Sequence, residues 1–337
     1  MAARSIRTCF NFFFSVAFLT FLAPSLRAAE TDLRDKAINM AFAEAKSEDS
    51  LEAQESKERS AQEYRQKLDA VITEKKEDEF SHEVDSYIRY LPGRTLNAQP
   101  GKISVIDSAF EYSYTFKAFG QLPVEISLQS GYAGIEEKDV RVSLPANLTN
   151  VGLGIETTLP FFKFDKTYFR MSLNPSFHSQ NWEARSSAFR MPVHSFVIYQ
   201  PDEKWTFIAG VAVYPDYDSP VLPIIGFIYK PNDKWTFNLI PERPTISYAV
   251  NEHLTIFAEG SISCDEYEVT KDGRKGVILT YNENYAGGGI KYSFNKYLNA
   301  SISTGAVFNH YLRYEDSLGK IDIKNGQYCE FRVEARL

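Results

Sequence analysis

The chain is poor in the residues that cross-link a fold or bind metals. Its 337 residues include three cysteines and five histidines. Cys9 lies in an N-terminal apolar run, which leaves Cys264 and Cys329 either as a disulfide in an oxidising compartment or as two free thiols. The histidines lack the H-x-x-x-H or carboxylate spacing that is typical of a metal site. We therefore expect no metal and no cofactor.

Long apolar runs are also absent beyond the N-terminus, where no stretch reaches the roughly 18 to 20 residues of a membrane helix. The one early run, FNFFFSVAFLTFL from Phe10, follows Arg4 and Arg7 and precedes small residues. This order predicts a secretory signal peptide over residues 1–29. An exported chain without a membrane helix is either soluble or a β-barrel, since both arrangements satisfy the backbone polar groups.

Basic charge is scarce as well. The formal net charge of −7 becomes −10 when Arg4, Arg7 and Arg27 leave with the signal peptide (−7 − 3 = −10). A nucleic-acid partner would require a clustered basic face, so the composition argues against one.

Residues 30–80 contain neither glycine nor proline, and roughly half of them are charged. Most are strong helix formers, yet the segment lacks sustained heptads. It is predicted to be a charged helical or disordered periplasmic extension. A coiled coil, or a helix that binds the cell wall or a periplasmic partner, is the alternative.

The pattern changes near Phe80, and from residue 81 to residue 337 apolar residues recur with a period of two. Phe110, Tyr112, Tyr114 and Phe116, for example, alternate with polar residues, as in a β-strand. A soluble sandwich also alternates, but several of these runs match the roughly 9 to 11 residues of a tilted membrane strand. Short connections alternate with longer ones, which include 134–146, 265–283 and 314–326. The predicted fold is all-β, an antiparallel up-and-down transmembrane β-barrel of about 12 to 14 strands.

A nine-residue stretch occurs twice, as YQPDEKWTF from Tyr199 and YKPNDKWTF from Tyr229. Each copy places a tight turn between two aromatic residues, and weaker copies begin at Tyr248 and Tyr292. Aromatic rings beside each short turn would form a girdle at one membrane boundary. The alternative is aromatic packing in a soluble core. The predicted boundary aromatics are Tyr199, Trp205, Tyr229, Trp235, Tyr248 and Tyr292.

The C-terminal strand, QYCEFRVEARL, carries apolar side chains on one face and charged side chains on the other. A fully charged face suits a wet lumen, although an edge strand of a soluble sheet could also carry it. Alternation adds residues from other strands to the same inward face. The predicted lumen-lining residues are Glu111, Glu125, Glu156, Arg170, Lys291, Glu330, Arg332, Glu334 and Arg336.

The terminal strand and the run P-x-x-G-x-x-Y-x-P-N-x-x-W from Pro223 resemble those of bacterial outer-membrane β-barrels, and more narrowly an uncharacterised outer-membrane barrel family whose domain has no known function. The resemblance covers roughly residues 82–337. It implies a bacterial outer-membrane location, contact with outer-membrane lipid and insertion by the barrel-assembly machinery. It implies no catalytic residues.

Three functions are compatible with this pattern. The leading hypothesis is a narrow, porin-like channel for the diffusion of small solutes. The second is a structural or tethering protein that uses residues 30–80. The third is an outer-membrane acyl hydrolase, because His178, Ser179 and Asn181 supply the residue types of a nucleophile and its base. These three residues crowd one predicted loop, so we expect the protein not to be an enzyme.

Overall fold

The structure is a computed structural model that describes residues 82–97, 99–118, 122–161, 164–182, 185–215, 220–315 and 319–337. The predicted signal peptide and charged extension lie outside these residues, as does the extension's predicted helix. Within the described ranges, no helix has both the length and the apolar character needed to cross a membrane.

A single sheet contains nearly all of the described chain. One short 3₁₀ turn, Ser186–Ala188, interrupts it. The strands are β1 His82–Thr95, β2 Lys102–Ala118, β3 Leu122–Lys138, β4 Asn147–Pro160, β5 Thr167–Leu173, β6 Ser176–Ser179, β7 Phe189–Arg190, β8 Val193–Tyr199, β9 Trp205–Val213, β10 Val221–Asn232, β11 Trp235–Asn238, β12 Thr245–Ala249, β13 Leu254–Lys271, β14 Arg274–Asn295, β15 Leu298–Tyr314, β16 Lys320–Ile323 and β17 Gly326–Arg336.

The sheet closes on itself as an antiparallel barrel of 14 strands. Most strands pair with their neighbours in the chain, and β17 returns to β1 from Glu83↔Arg336 to Tyr90↔Cys329. Three of the 14 strands each consist of two segments. These segments are β5 and β6, which both pair with β4, then β7 and β8, which pair with β6 and β5, and finally β16 and β17, which both pair with β15. This closure confirms the predicted fold class.

The connection predicted over 265–283 is wrong. The structure continues β13 and β14 through this segment as a hairpin that turns at Asp272 and Gly273, with Val269 opposite Val277. The polar run KDGRK forms the tip of this hairpin, and the apolar period of two continues on both sides of it.

The barrel narrows at the end that carries the longer connections. Strand β13 pairs with β12 only over Thr255–Glu259. Farther along, Glu268 of β13 pairs in parallel with Ser179 of β6, and the N–H of Gln180 donates to the Glu268 carbonyl oxygen at 2.9 Å. The wall therefore passes directly from β6 to β13 at this end.

The narrowed end encloses the main hydrophobic core, here named the apolar cap. Val140, Val142 and Leu144 of the β3–β4 connection pack against it. Lys271 donates to the carbonyl oxygen of Ser143 at 3.1 Å and so holds this connection in place. The apolar cap consists of Leu91, Leu96, Ile103, Val105, Ala133, Ile135, Leu148, Tyr267, Val269, Val277, Leu279, Tyr281, Tyr285, Val307, Leu312, Tyr314, Ile321, Ile323 and Tyr328.

The repeated stretch forms one type of turn at the opposite end of the barrel. Asp202 Oδ1 accepts hydrogen bonds from the backbone N–H groups of Lys204 and Trp205, at 2.8 and 2.9 Å. Asn232 does the same for Lys234 and Trp235, at 3.0 and 3.1 Å. These are Asx turns, in which a short polar side chain replaces a backbone acceptor.

The weaker copies of the stretch turn in the same way. Asn251, three residues after Tyr248, accepts from His253 and Leu254, both at 2.9 Å. Asn295, three residues after Tyr292, accepts from two backbone N–H groups at 2.7 and 2.9 Å. The motif shared by the four copies is therefore Tyr-x-x-Asx, and the Asx side chain explains why it recurs.

Replacing Asp202 by alanine removes both hydrogen bonds of one turn, and we expect it to lower the free energy of unfolding by about 1 to 2 kcal/mol. Asp202→Asn is the matched control, because Asn232 makes the same turn. Urea unfolding of the folded protein in lipid, followed by the mobility of unheated samples on a gel, measures the difference. Equal loss in both variants would show that the charge matters and the hydrogen-bond acceptor does not.

Candidate functional site

The outer surface of the barrel carries a continuous apolar row. Ile88, Phe331, Ile302, Ile290 and Ile256 are successive register partners on five neighbouring strands. Each side chain is between 43% and 52% exposed. A row of large apolar side chains of this kind is costly in water but suits a lipid environment.

The opposite face of the same strands holds charges inside the barrel. On β17, Glu330 is 2% exposed whereas its neighbour Phe331 is 52% exposed. Arg332 is also buried. Alternation in this strand therefore separates a charged inner face from an apolar outer face, as in membrane barrels.

Arg89 lies at the centre of a buried ion-pair network. Its guanidinium contacts Glu330 at 2.7 Å, Glu283 at 3.2 Å and Asp107 at 3.3 Å. It also lies over the ring of Tyr285, 4.2 Å from the centroid. A buried guanidinium can satisfy several carboxylates at once because it has five N–H donors in a rigid plane.

Two further arginines extend this network across the lumen. Arg332 contacts Glu330 at 3.1 Å and Asp85 at 2.8 Å. Arg243 contacts Glu259 at 2.7 Å. Among these described side chains five carboxylates face three guanidiniums, so the network carries an excess of negative charge.

Two polar cavities lie inside the barrel. Cavity 1 has a volume of 390 Å³ and cavity 2 one of 370 Å³. Both are lined by Glu111, Gln129, Asn150 and Asp265, so they adjoin one another. Cavity 2 lies between the ion-pair network and part of the apolar cap, whereas cavity 1 lies against β3, β4 and the strands that follow them.

The structure places the predicted lumen-lining residues in three settings. Glu111, Glu125 and Glu156 line cavity 1, and Arg170 pairs with Glu156 at 3.3 Å. Glu330 and Arg332 belong to the ion-pair network. The other predicted residues form more exposed ion pairs, which join Lys291 to Glu334 at 3.4 Å and Arg336 to Glu83 at 3.6 Å.

Sequence reasoning missed the centre of the network. Arg89, Asp107, Glu283 and Arg243 were not among the predicted residues. The sequence of β1 did indicate its inner face, since Asp85, Tyr87 and Arg89 alternate with apolar Ile88 and Tyr90. Glu283 fell within the segment that was predicted to be a loop, so its inward direction was not recognised.

The predicted boundary aromatics lie beside the Asx turns. The Trp205 ring stacks on Tyr229 with centroids 4.1 Å apart, and Trp235 contacts Tyr248 at 4.8 Å. These contacts bring the two copies of the repeat into one aromatic cluster. That this cluster marks a membrane boundary stays a prediction.

The residues considered for an acyl hydrolase do not assemble as a nucleophile and base. The described hydrogen bond of the His178 ring is to Ser176 Oγ, at 3.1 Å, and not to Ser179. Ser179 uses its carbonyl oxygen to accept from Thr149 at 2.8 Å. Within the described residues, Nδ1 of His178 has no hydrogen-bond partner, so no carboxylate orients the ring as a base.

Cys264 and Cys329 are both free thiols, on β13 and β17. The described residues also contain no group of three or more histidine, cysteine or acidic side chains arranged to hold a metal ion.

A closed antiparallel sheet with an apolar outer row and a charged interior defines a β-barrel of the bacterial outer membrane. Residues 123–336 match the model of the family described as a domain of unknown function, DUF6268, and the chain belongs to this family.

Comparison with solved structures returns other barrels at low identity. An outer membrane channel from Pseudomonas putida F1 is 9% identical with a TM-score of 0.43, covering 77% of this chain and 96% of that one. The KdgM porin is 8% identical with a TM-score of 0.34, covering 76% and 99%. LpxR from Salmonella typhimurium is 8% identical with a TM-score of 0.36, covering 76% and 100%. No curated protein matches the sequence.

The apolar outer row gives a direct test of which face meets lipid. Phe331→Arg places a charge in this row, and we expect it to cost roughly 2 to 4 kcal/mol if the side chain lies near the bilayer midplane. Phe331→Leu, the control, keeps the apolar character. The folded fraction after refolding into lipid vesicles, read from heat-modifiable gel mobility, reports the cost. Normal insertion of Phe331→Arg would contradict the assignment of the outer face.

The buried network gives a second test. Arg89→Met leaves three carboxylates without their shared cation, so we expect a loss of roughly 3 to 5 kcal/mol in the free energy of unfolding. Arg336→Met removes a cation from a more exposed pair and should cost at most about 1 kcal/mol. Urea unfolding in lipid measures both variants. Similar losses would show that the Arg89 network does not hold the barrel together.

Proposed function

We propose that the barrel is a channel through which small polar solutes, with a preference for cations, diffuse across the outer membrane. The observation that carries the proposal is the extent of cavity 1 along the barrel wall. Its lining follows β4 from Asn150, three residues from the end near the longer connection, to Glu156, four residues from the end near the short turn. The polar cavity therefore extends along the middle part of this strand, between the two ends of the barrel.

The apolar cap limits how wide such a path can be. It fills the narrowed end on the side formed by β13 to β17 and β1 to β4, where side chains such as Leu279, Val307 and Leu312 are almost fully buried. A solute would pass beside the cap, along the shorter strands, and not through it. This arrangement supports small solutes over large ones.

The charges of cavity 1 support a preference for cations. Glu111, Glu125 and Asp265 accept hydrogen bonds from neutral groups only, namely Gln129 at 2.9 Å, Thr115 at 3.2 Å and Ser263 at 2.9 Å. No ion pair to these three carboxylates occurs within the described residues. A polar path with uncompensated carboxylates concentrates cations and excludes anions.

Conductance of the full-length protein in planar bilayers tests this function. Under a potassium chloride gradient we expect a reversal potential whose sign indicates that potassium permeates more readily than chloride, because the carboxylates of cavity 1 attract potassium. The double variant Glu111→Gln, Glu125→Gln should move the reversal potential toward zero. Glu252→Gln, in an exposed turn, removes a charge outside the cavity and should leave the potential unchanged.

Absence of conductance from protein that has inserted correctly, as judged by its gel mobility, would refute the channel. An anion preference, or an equal shift in the Glu252→Gln control, would refute the role of cavity 1 while leaving conductance itself established.

A further inference from the structure

Two strands of the barrel wall continue where the strands between them stop. Strands β11 and β12 have four and five residues, whereas β10 and β13, which flank them, have 12 and 18. Over 221–226 the structure pairs β10 with β9 alone, and over 261–265 it pairs β13 with β14 alone. Among the described residues, no strand fills the space between these two edges, which is here named the side gap.

The side gap is closed at both ends. On the side of the short turns, the segment 239–244 crosses from β10 to β13, and the N–H of Gly260 donates to the carbonyl oxygen of Pro244 at 2.9 Å. On the side of the longer connections, the contact between Gln180 and Glu268 joins β6 to β13. The side gap is therefore a window in a closed barrel, and it can connect the interior with the surroundings without the loss of any strand pairing.

Large aliphatic side chains stand at both edges of the side gap. Ile225 on β10 is 77% exposed and Ile262 on β13 is 67% exposed, against 43% to 52% in the apolar outer row. Ile225 lies four residues beyond Tyr229, and Ile262 lies six residues beyond Ile256, the register partner of Tyr248. At roughly 3.3 Å per residue, the two side chains stand about 13 Å and about 20 Å along their strands from the predicted aromatic boundary. Both distances fall within an apolar band roughly 25 Å tall, so the side gap faces lipid.

Cavity 1 reaches the inner side of the side gap. Asp265, which lines the cavity, lies on the edge of β13 that borders the gap. Tyr214, which follows β9 and also lines the cavity, interacts electrostatically with Asp265 and contacts the ring of His194 edge-on, with centroids 5.8 Å apart. The lining of cavity 1 therefore extends from the wall formed by β8 and β9 to β13, across the inner side of the gap.

We propose that the side gap is a lateral portal through which small amphipathic molecules, with an aliphatic chain and an uncharged hydroxyl group, pass between lipid and cavity 1. This inference rests on the proposed function in that both routes share cavity 1. The portal adds a second entrance, which opens to the bilayer and not to water, and it adds a class of solute that dissolves in lipid.

Each surface along this route favours one part of such a molecule. The aliphatic side chains of Ile225 and Ile262 suit its chain. The backbone N–H and C=O groups that face the gap have no strand partner among the described residues, and lipid offers them none, so they favour a solute that forms hydrogen bonds. Inside, the carboxylates of Asp265 and Glu111 can accept a hydrogen bond from a hydroxyl group, whereas they repel an anion.

Photo-crosslinking of the full-length protein in lipid vesicles, with decan-1-ol that carries a diazirine in its chain, tests the portal without requiring conductance. We expect mass spectrometry to find the label on Tyr214, inside the barrel, as well as on the outer surface. The double variant Ile225→Trp, Ile262→Trp fills the side gap from outside and should lower the labelling of Tyr214 severalfold. The matched control Ile256→Trp, Ile290→Trp makes the same substitutions on paired strands and should leave this labelling unchanged. Decyl sulfate with the same diazirine should label Tyr214 less than the alcohol does.

Label confined to the outer surface would overturn the portal, and so would equal labelling of Tyr214 in the native protein and the Ile225→Trp, Ile262→Trp variant. Equal labelling by decyl sulfate would overturn the assignment to uncharged molecules. Conductance without label inside the barrel would refute this inference and keep the channel. Label inside the barrel without conductance would refute the channel and keep the portal. Gel mobility of each variant confirms that it has folded.

Discussion

The requirement that every backbone polar group find a partner without help from water dominates this protein. A closed antiparallel sheet serves this requirement, because neighbouring strands pair around the barrel and β17 returns to β1. Once the sheet is closed, alternation along each strand decides which side chains face lipid and which face the interior. Side chains that face lipid must be apolar, as in the row from Ile88 to Ile256, and charged side chains such as Glu330 point inward.

The interior of the barrel contains two kinds of packed side chains, the charged network around Arg89 and the apolar cap. Around Arg89 a single guanidinium contacts three carboxylates at short range, which allows carboxylates such as Glu283 to be buried at an acceptable cost. Beyond this layer, on the narrowed end, the inner face becomes apolar and forms the cap. Strand β13 shows the change, since polar Ser263 and Asp265 give way to buried Tyr267 and Val269 on the same face.

The direct pairing of β6 with β13 determines where the apolar cap lies relative to the proposed solute path. By narrowing one end, it confines the apolar cap to one side and leaves cavity 1 along the shorter strands. Glu111, Glu125 and Asp265 of that cavity accept hydrogen bonds from neutral donors, whereas the carboxylates of the network contact arginines. This difference underlies the proposed cation preference.

Sequence alone was sufficient for the barrel and for its turns, because these depend on a period of two and on local turn chemistry. The Tyr-x-x-Asx turns are local, so their repetition could be seen in the residues. The Arg89 network, the cap and cavity 1 could not be predicted in this way. They join residues from strands far apart in the chain, such as Arg89 and Glu283, and only closure and register decide which inward side chains meet.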